Sequence, residues 1–590
     1  MKSYRYKISI IISTFLIITI AFTSLRMTSN YTSTSKINKN YDWLTPNPSK
    51  SSASVIWPVN GTPIGLSSGH QGSPQLISDG DKGVIIVWGD GRNLTTGNDI
   101  YAQRLNSSGD PQWTANGVPI CIELNTQFVP QLVSDGEGGA IIIWEDYRNP
   151  NDISLENSDL YAQKVNSSGD TQWTAGGVPI SISRGFQGNS QLISDGAGGA
   201  IIIWRDGRDL TEYDIYAQRI SSGGARQWAL NGIPVLTIGS HSNNMGPQLI
   251  SDGAGGAIIV WRDDRIFGDY DIFAQRISSG GTSQWATNGI SISNAGSTQE
   301  HPQLISDGAG GAIIVWRDGR DGIPGKMDIY AQKVNSSGIS QWTVNGVPIC
   351  TLSGSQWSPQ LISDGMGGAL IAWRGNTKIY DVYTQKINSN GVSQWTINGI
   401  QISNISDTPE YSKAENLQLI SDGKEGIIIV WSSYQNSSPS YKTFTQRVNS
   451  TGDIQWIVNG ISISSASGSQ NNPKLVTDGE EGAIIVWEDN RASPFLRDIY
   501  AQKVIEHTLP TSNHPSDIDA KNGDEIINWI LSDDLGGGYY RVLANDSSGN
   551  FYIWQNWQPW INNTPLVIPI NYTEIGSYNY TIEYYDLYNL

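Results

Sequence analysis

The residues with the clearest chemical potential are Asp and Arg two positions apart behind a tryptophan, in the pattern W-x-D-x-R. They are Asp90 and Arg92, Asp146 and Arg148, Asp206 and Arg208, Asp263 and Arg265, Asp318 and Arg320, and Asp489 and Arg491. A guanidinium is a rigid fork of N–H donors, so a ring of them on one face would suit carboxylates or sulfates. The competing reading pairs each Arg with its own Asp, or with the Asp that opens a following DIYAQ segment, such as Asp214 or Asp328. It carries more weight, because one motif repeated in six places does one job six times. Two further copies of the surrounding sequence lack the pair and read RGNTK and SSYQNSS instead. They mark an asymmetric patch whose candidate binding residues are Arg374, Trp357 and Tyr434, with Glu410, Tyr411 and Glu415 in the long loop between them.

Other constellations are thinner. His70, His241, His301, His507 and His514 share no metal-binding spacing, and no G-x-S-x-G elbow occurs, so no catalytic residue, metal ligand or cofactor is assigned. The recurrent SDGxGG turns offer one Asp each and precede no helix, which argues against calcium and phosphate loops. A glycosidase would need a carboxylate pair, or Tyr with Glu, near a central axis. Glu300, Glu410 and Glu415 are the carboxylates that could serve, although solvated loop positions are the simpler account of them. Trp554, Trp557 and Trp560, spaced by three in WQNWQPW, could stack on sugar rings or pack a small sandwich.

These residues sit on a repeat. The first Trp of each copy falls at Trp88, Trp144, Trp204, Trp261, Trp316, Trp373, Trp431 and Trp487, a period of 55 to 60 residues. Such a period belongs to propellers, solenoids or arrays. Each copy predicts four strands, in the fifth PQLISD, GAIIVW, DIYAQK and QWTVNGVPI. Gly, Asn and Asp in SDGxGG and NSSG supply the positive φ of tight hairpins, while the unbroken apolar GAIIVW predicts a strand covered on both faces. A second Trp, in the QW element, is missing from the eighth copy, and SVIWPVNGTPI at Ser54 to Ile64 supplies it. That offset predicts an eight-bladed ring closed by an N-terminal strand, which seals an edge that an open solenoid would leave bare. Of the 22 Trp, 16 occupy the two repeated positions, so the Trp repeat is first a packing device. Turns on one face are shared by every copy, whereas those on the other vary; the variable face is the place for a ligand. Cys121 and Cys350 fall on opposite blades of such a ring, out of bonding range.

The flanks differ in kind. Basic Met1 to Lys7 precedes an uncharged run of 18 residues, Ile8 to Leu25, which reads as either a cleaved signal peptide or an uncleaved anchor over 1–26. Residues 27–52 read as a flexible linker and 53–508 as the propeller. Thirteen Asn-x-Ser/Thr sequons, Asn106, Asn166, Asn335 and Asn449 at one equivalent turn, suit an exported chain, though Asn, Ser and Thr are also plain turn formers. A net charge of −18 excludes nucleic acid as a natural partner.

From Val55 to Val504 the chain resembles secreted bacterial and archaeal β-propeller repeat proteins, and its NSSGxxQW turn looks like a relative of the Asp-box hairpin of sialidase-type propellers. Asp-box turns are structural, and here Asn or Ser replaces the Asp, so the resemblance implies no catalytic residue. Residues 509–590, with INW near the start and GSYNYTIEYYD near the end, resemble the Ig-like or PKD-like modules of prokaryotic surface proteins, one strand short or truncated. The expectation is an all-β protein, extracellular or at the cell surface, touching membrane only through its N-terminal segment. Its leading role is non-catalytic binding or adhesion to protein or glycan; the alternative is a carbohydrate-active hydrolase or lyase on the same scaffold.

Overall fold

A computed structural model describes residues 27–32, 52–93, 95–149, 157–209, 212–237, 245–266, 269–376, 380–403, 414–435, 440–507, 511–512, 526–532, 537–545, 551–569 and 579–586. The described residues are all-β, and none lies in a helix long and apolar enough to cross a membrane. Ile8 to Leu25 lies outside them. The chain divides into two compact units, Ser49–Glu506 and Met1–Pro48 with His507–Leu590.

The first unit is an eight-bladed β-propeller. Blade five shows the plan: antiparallel strands Gln299–Ser306, Ala312–Asp318, Asp328–Val334 and Val347–Cys350, paired in that order outward from the axis. Each first strand packs against the first strands of its two neighbours, and Gln470–Thr477 of blade eight returns to Gln71–Ser78 of blade one. That closes the ring. In blade eight the outer strand comes from the N-terminal side, with Ser52–Val55 and Thr62–Gly65 both pairing with Asp498–His507. The offset in the sequence is thus the closure device.

Why the second strand is unbroken apolar follows from its place between neighbouring blades. Every residue of Ala312–Asp318 is buried. Ile313 and Val315 pack toward blade six, while Ile314 and Trp316 pack toward blade four. At about 25 cal/mol per Å2 and roughly 200 Å2 per indole, each such Trp contributes about 5 kcal/mol as an upper value. The QW tryptophans bind blades by a different route: Trp285 Nε1 donates to the Ser336 carbonyl of the next blade, at 3.1 Å, and Trp342 Nε1 to that of Ser389. The fourth strand is shorter than QWTVNGVPI predicts. Asn345 and Gly346 take φ of 62° and 88°, so QWTVNG is a turn and only Val347–Cys350 pairs. Cys121 and Cys350 are both buried and free.

The second unit holds two antiparallel sheets. One runs in the order Met27–Thr32, Asn579–Asp586, Gly538–Asn545, Phe551–Trp560; the other is Thr511–Ser512, Ile526–Ser532, Pro565–Pro569. Part of the segment expected as a flexible linker is therefore strand: Met27–Thr32 lies in register along Asn579–Asp586 and covers its edge. A strand from before the propeller stands where the sequence leaves the C-terminal module one short.

Candidate functional site

The W-x-D-x-R motif is a clasp. In blade five Asp318 accepts hydrogen bonds from Trp316 Nε1 (2.7 Å) and from Arg320 Nε and Nη2 (2.8 and 2.6 Å). Arg320 then lies over Tyr330 at 3.7 Å and donates to the Asn345 carbonyl in the turn before the fourth strand. The same arrangement recurs on Asp90, Asp146, Asp206 and Asp263, and on Asp489 with only Nη2 of Arg491 in place. All these guanidinium forks are engaged inside their own blades, which removes them as a ligand ring. The SDGxGG aspartates are equally local, since Asp307 Oδ1 accepts the N–H groups of Ala309 and Gly311, both at 2.8 Å. Among the described residues no group of three or more His, Cys, Asp or Glu converges as a metal site.

The position that does vary lies inside the clasp motif, between Trp and Asp. Around the ring it is Gly89, Glu145, Arg205, Arg262, Arg317, Arg374, Ser432 and Glu488. Each of these residues is in register with a residue of the innermost strand, just before a bulge: Arg317 with Glu300, Arg374 with Trp357, Ser432 with Glu415. This end of the second strand leads into the variable loops, so the eight positions border the axial mouth on the variable face. Their charges are segregated. Blades three to six carry the four arginines, whereas Glu488 and Glu145 flank the glycine of blade one on the opposite side.

The basic arc is tied together. Glu300 accepts from Arg262 Nη1 and Arg317 Nη1, each at 3.0 Å. Arg317 also donates from Nε to the Gln356 carbonyl of the next blade and stacks on Trp357 at 3.6 Å. Arg374 donates to the Ala414 carbonyl and to Ser358 Oγ, both at 2.9 Å. His301, beside Glu300, is held below the usual imidazole range, first by loss of hydration among its neighbours and further by Arg317, Arg262 and Arg374, against the pull of Glu300. Arg205 lies over Tyr213 at 3.3 Å; burial, and then its neighbour Arg262, depress its pKa.

On the acidic side Glu145 is buried and accepts the Asn189 N–H of the next blade at 2.9 Å, and burial raises its carboxyl pKa. Glu488 accepts the Ser73 N–H at 2.8 Å and Asn472 Nδ2 at 2.9 Å, and pairs with Arg497. Lys474, beside Glu488, replaces the Gln that the other seven first strands carry, such as Gln303. Burial pulls its ammonium pKa down, and Glu488 opposes that pull.

Of the residues named from sequence, Arg374, Trp357 and Glu415 border the mouth, as does Glu300. Tyr434 is in register with Tyr441, their rings 5.3 Å apart and nearly edge-on, and burial, reinforced by Glu415, raises the Tyr441 pKa. Glu410 and Tyr411 lie outside the described residues. In the second unit Trp560 is only 3% exposed, which removes it from any open stacking row, and Trp557 is half-buried beneath Arg541 at 4.9 Å. Trp554 belongs to the same strand, its side chain outside those described. Missed from sequence were Glu145, Arg205, Arg262, Arg317 and Glu488. Reading the residue between Trp and Asp down the eight copies would have found them.

No family model matches the chain, and no curated protein matches it. Solved structures do. An ulvan lyase from a new family of polysaccharide lyases, bound to a GlcA–Rha3S repeat, is 12% identical with a TM-score of 0.41, over 74% of this chain and 94% of that one. A protein of unknown function from Dyadobacter fermentans is 9% identical with a TM-score of 0.37, over 78% and 98%. The Penicillium chrysogenum α-L-arabinanase complexed with arabinobiose is 14% identical with a TM-score of 0.31, over 52% and 90%. Other similar structures include a thermostable family-43 glycoside hydrolase and a GH93 α-L-arabinofuranosidase of Fusarium graminearum.

Proposed function

We propose that the chain is an exported carbohydrate-active protein that takes a glycan into the axial mouth on its variable face, as a hydrolase or lyase. One observation carries this reading: the mouth is bordered by unlike residues, although the scaffold beneath it repeats eightfold. A repeat scaffold needs the same side chain eight times, whereas a site needs different ones. The carboxylates also differ in environment, Glu300 held between two guanidiniums and Glu145 buried with its pKa raised. A buried carboxyl whose pKa is raised is the kind of group that can serve as a general acid. Tyr213, Tyr270 and Trp357, each beneath an arginine, add aromatic faces suited to sugar rings.

Binding without turnover is the second reading. It is favoured by the use of Glu145 and Glu488 as latches to the next blade, which is structural work. The test is incubation of the purified protein with a panel of polysaccharides, following new reducing ends and new unsaturated ends. Release from one polymer, lost in Glu300→Gln with the fold intact, supports turnover; saturable binding without release supports the second reading. A protein that neither binds nor cleaves any polymer would leave the glycan reading without support.

A further inference from the structure

We propose that Arg205 and Arg262 form a subsite for a negatively charged substituent of the glycan, a carboxylate or a sulfate ester, so that the ligand is an anionic polysaccharide. The inference rests on the glycan reading and adds the charge of the ligand. Four guanidiniums stand in successive blades, and Glu300 is ion-paired with two of them, Arg262 and Arg317.

Two of the four have structural employment. Arg317 and Arg374 bond the backbone of the next blade, at the Gln356 and Ala414 carbonyls. Arg205 and Arg262 make no such latch. Arg262 gives one arm to Glu300 and lies over Tyr270 at 4.1 Å. Arg205 lies over Tyr213, and among the described residues no carboxylate is ion-paired with it. The Nε–H groups of both are buried without an acceptor.

A buried donor without an acceptor costs stability, and so do neighbouring like charges at reduced hydration. An oxyanion between the two forks would relieve both costs at once. Hydrogen bonds to an ionised acceptor are about twice as strong as neutral ones. The rings of Tyr213 and Tyr270 hold the guanidinium planes in place, so little side-chain freedom is lost on binding. The chain's net charge of −18 repels a polyanion at long range, so recognition has to come from a local site of this kind.

Titration calorimetry of the purified protein with dextran, dextran sulfate and polygalacturonate tests the proposal. One or both charged polymers are expected to bind about tenfold or more tightly than dextran, and their order tells sulfate from carboxylate. The double variant Arg205→Gln, Arg262→Gln is expected to lose that preference, keep its dextran affinity and flatten the salt dependence. Arg205→Lys with Arg262→Lys keeps the charge without the fork and should fall between. Inorganic sulfate should raise the melting midpoint of the parent and not of the double variant. Arg205→Gln alone, which breaks no ion pair, serves if the double variant fails to fold. Equal binding of charged and neutral polymers, or charged-polymer binding unchanged in a folded Arg205→Gln, overturns the subsite and leaves the glycan reading standing. A sulfate shift without polymer binding removes the glycan reading and keeps the anion site. Neither response removes both.

Discussion

Removing the carboxylate of the blade-five clasp, Asp318→Ala, should destabilise the propeller by about 3–5 kcal/mol. Asp318 is fully buried and accepts from Trp316 Nε1, from Arg320 Nε and Nη2, and from the Arg320 backbone N–H at 3.0 Å. Truncation orphans the indole N–H inside the blade interface, which costs roughly 1–3 kcal/mol. It also strips the guanidinium of its counter-charge while the side chain remains only 23% exposed, adding about 2 kcal/mol. The Arg320 stack on Tyr330 and its bond to Asn345 then lose their anchor. Asp318→Asn keeps one carbonyl acceptor and should cost about half as much.

Blade six is a natural comparison. It has Gly375 where the Asp belongs, so the buried Trp373 indole N–H has no carboxylate to receive it. Restoring the Asp is blocked, because a Cβ at Gly375 would meet the Tyr383 ring at 2.7 Å. Guanidinium-chloride unfolding followed by Trp fluorescence reads the global loss, and hydrogen exchange of blade-five amides reads the local one. An Asp318→Ala protein within about 0.5 kcal/mol of the parent would refute the clasp as a stabilising element.

Three other outcomes follow from the geometry. Burial holds Asp99, Asp214, Asp271 and Asp498 up at about 6, so between about pH 4 and 6 each takes up a proton on folding; their contribution is full below about pH 4 and is lost as pH rises through 6. Asp214→Asn, which also removes repulsion from Asp209 and Asp206, should therefore stabilise by about 1–2 kcal/mol near pH 7 and by little near pH 4, read as melting midpoints. Gly346→Ala should cost about 2–4 kcal/mol, because at φ 88° its Cβ would meet Trp316 Cη2 at 2.5 Å and the Ala331 carbonyl at 2.7 Å. Gly308→Ala, at φ 77° with nothing within 4 Å, should cost about 1 kcal/mol in the same denaturation assay. Deleting Ser52–Gly65, with Met27–Thr32 kept, bares the edge of Asp498–His507 and removes Trp57 and Ile64 from the core, so chromatography should show association, reversed by the Ser52–Leu66 peptide.

The parts legible in the sequence are those that local chemistry repeats. Glycine before the fourth strand is required eight times by the approach of the second-strand Trp, as at Gly61, Gly232 and Gly346, and an apolar run between charged turns predicts a doubly covered strand wherever it occurs. The Asp–Arg pair was readable for the same reason, and its repetition argued correctly for structure. The axial mouth hid because its variable residue sits between a Trp and an Asp that have fixed work, and because the feature that brings its partner into register has no composition. The bulge residues are Ser73, Val129, Asn189, Gly246, His301, Ser358, Asn416 and Asn472, five residue types sharing only a positive φ between 48° and 66°. Asn and Gly enter that region cheaply, but Val129 does so against its own β-branch. Nothing local would place a valine there, so the ring imposes the bend. Closing eight twisted sheets around one axis turns each first strand at the same point, and strain of about 1–3 kcal/mol is sustained because every neighbour is packed. The residue before the bend is thereby delivered beside the varying position of the second strand, which is how a Glu300 becomes the partner of Arg262 and Arg317. The site is a product of closure, and a substitution that relaxes the bend should disperse the charges at the mouth without touching any of them.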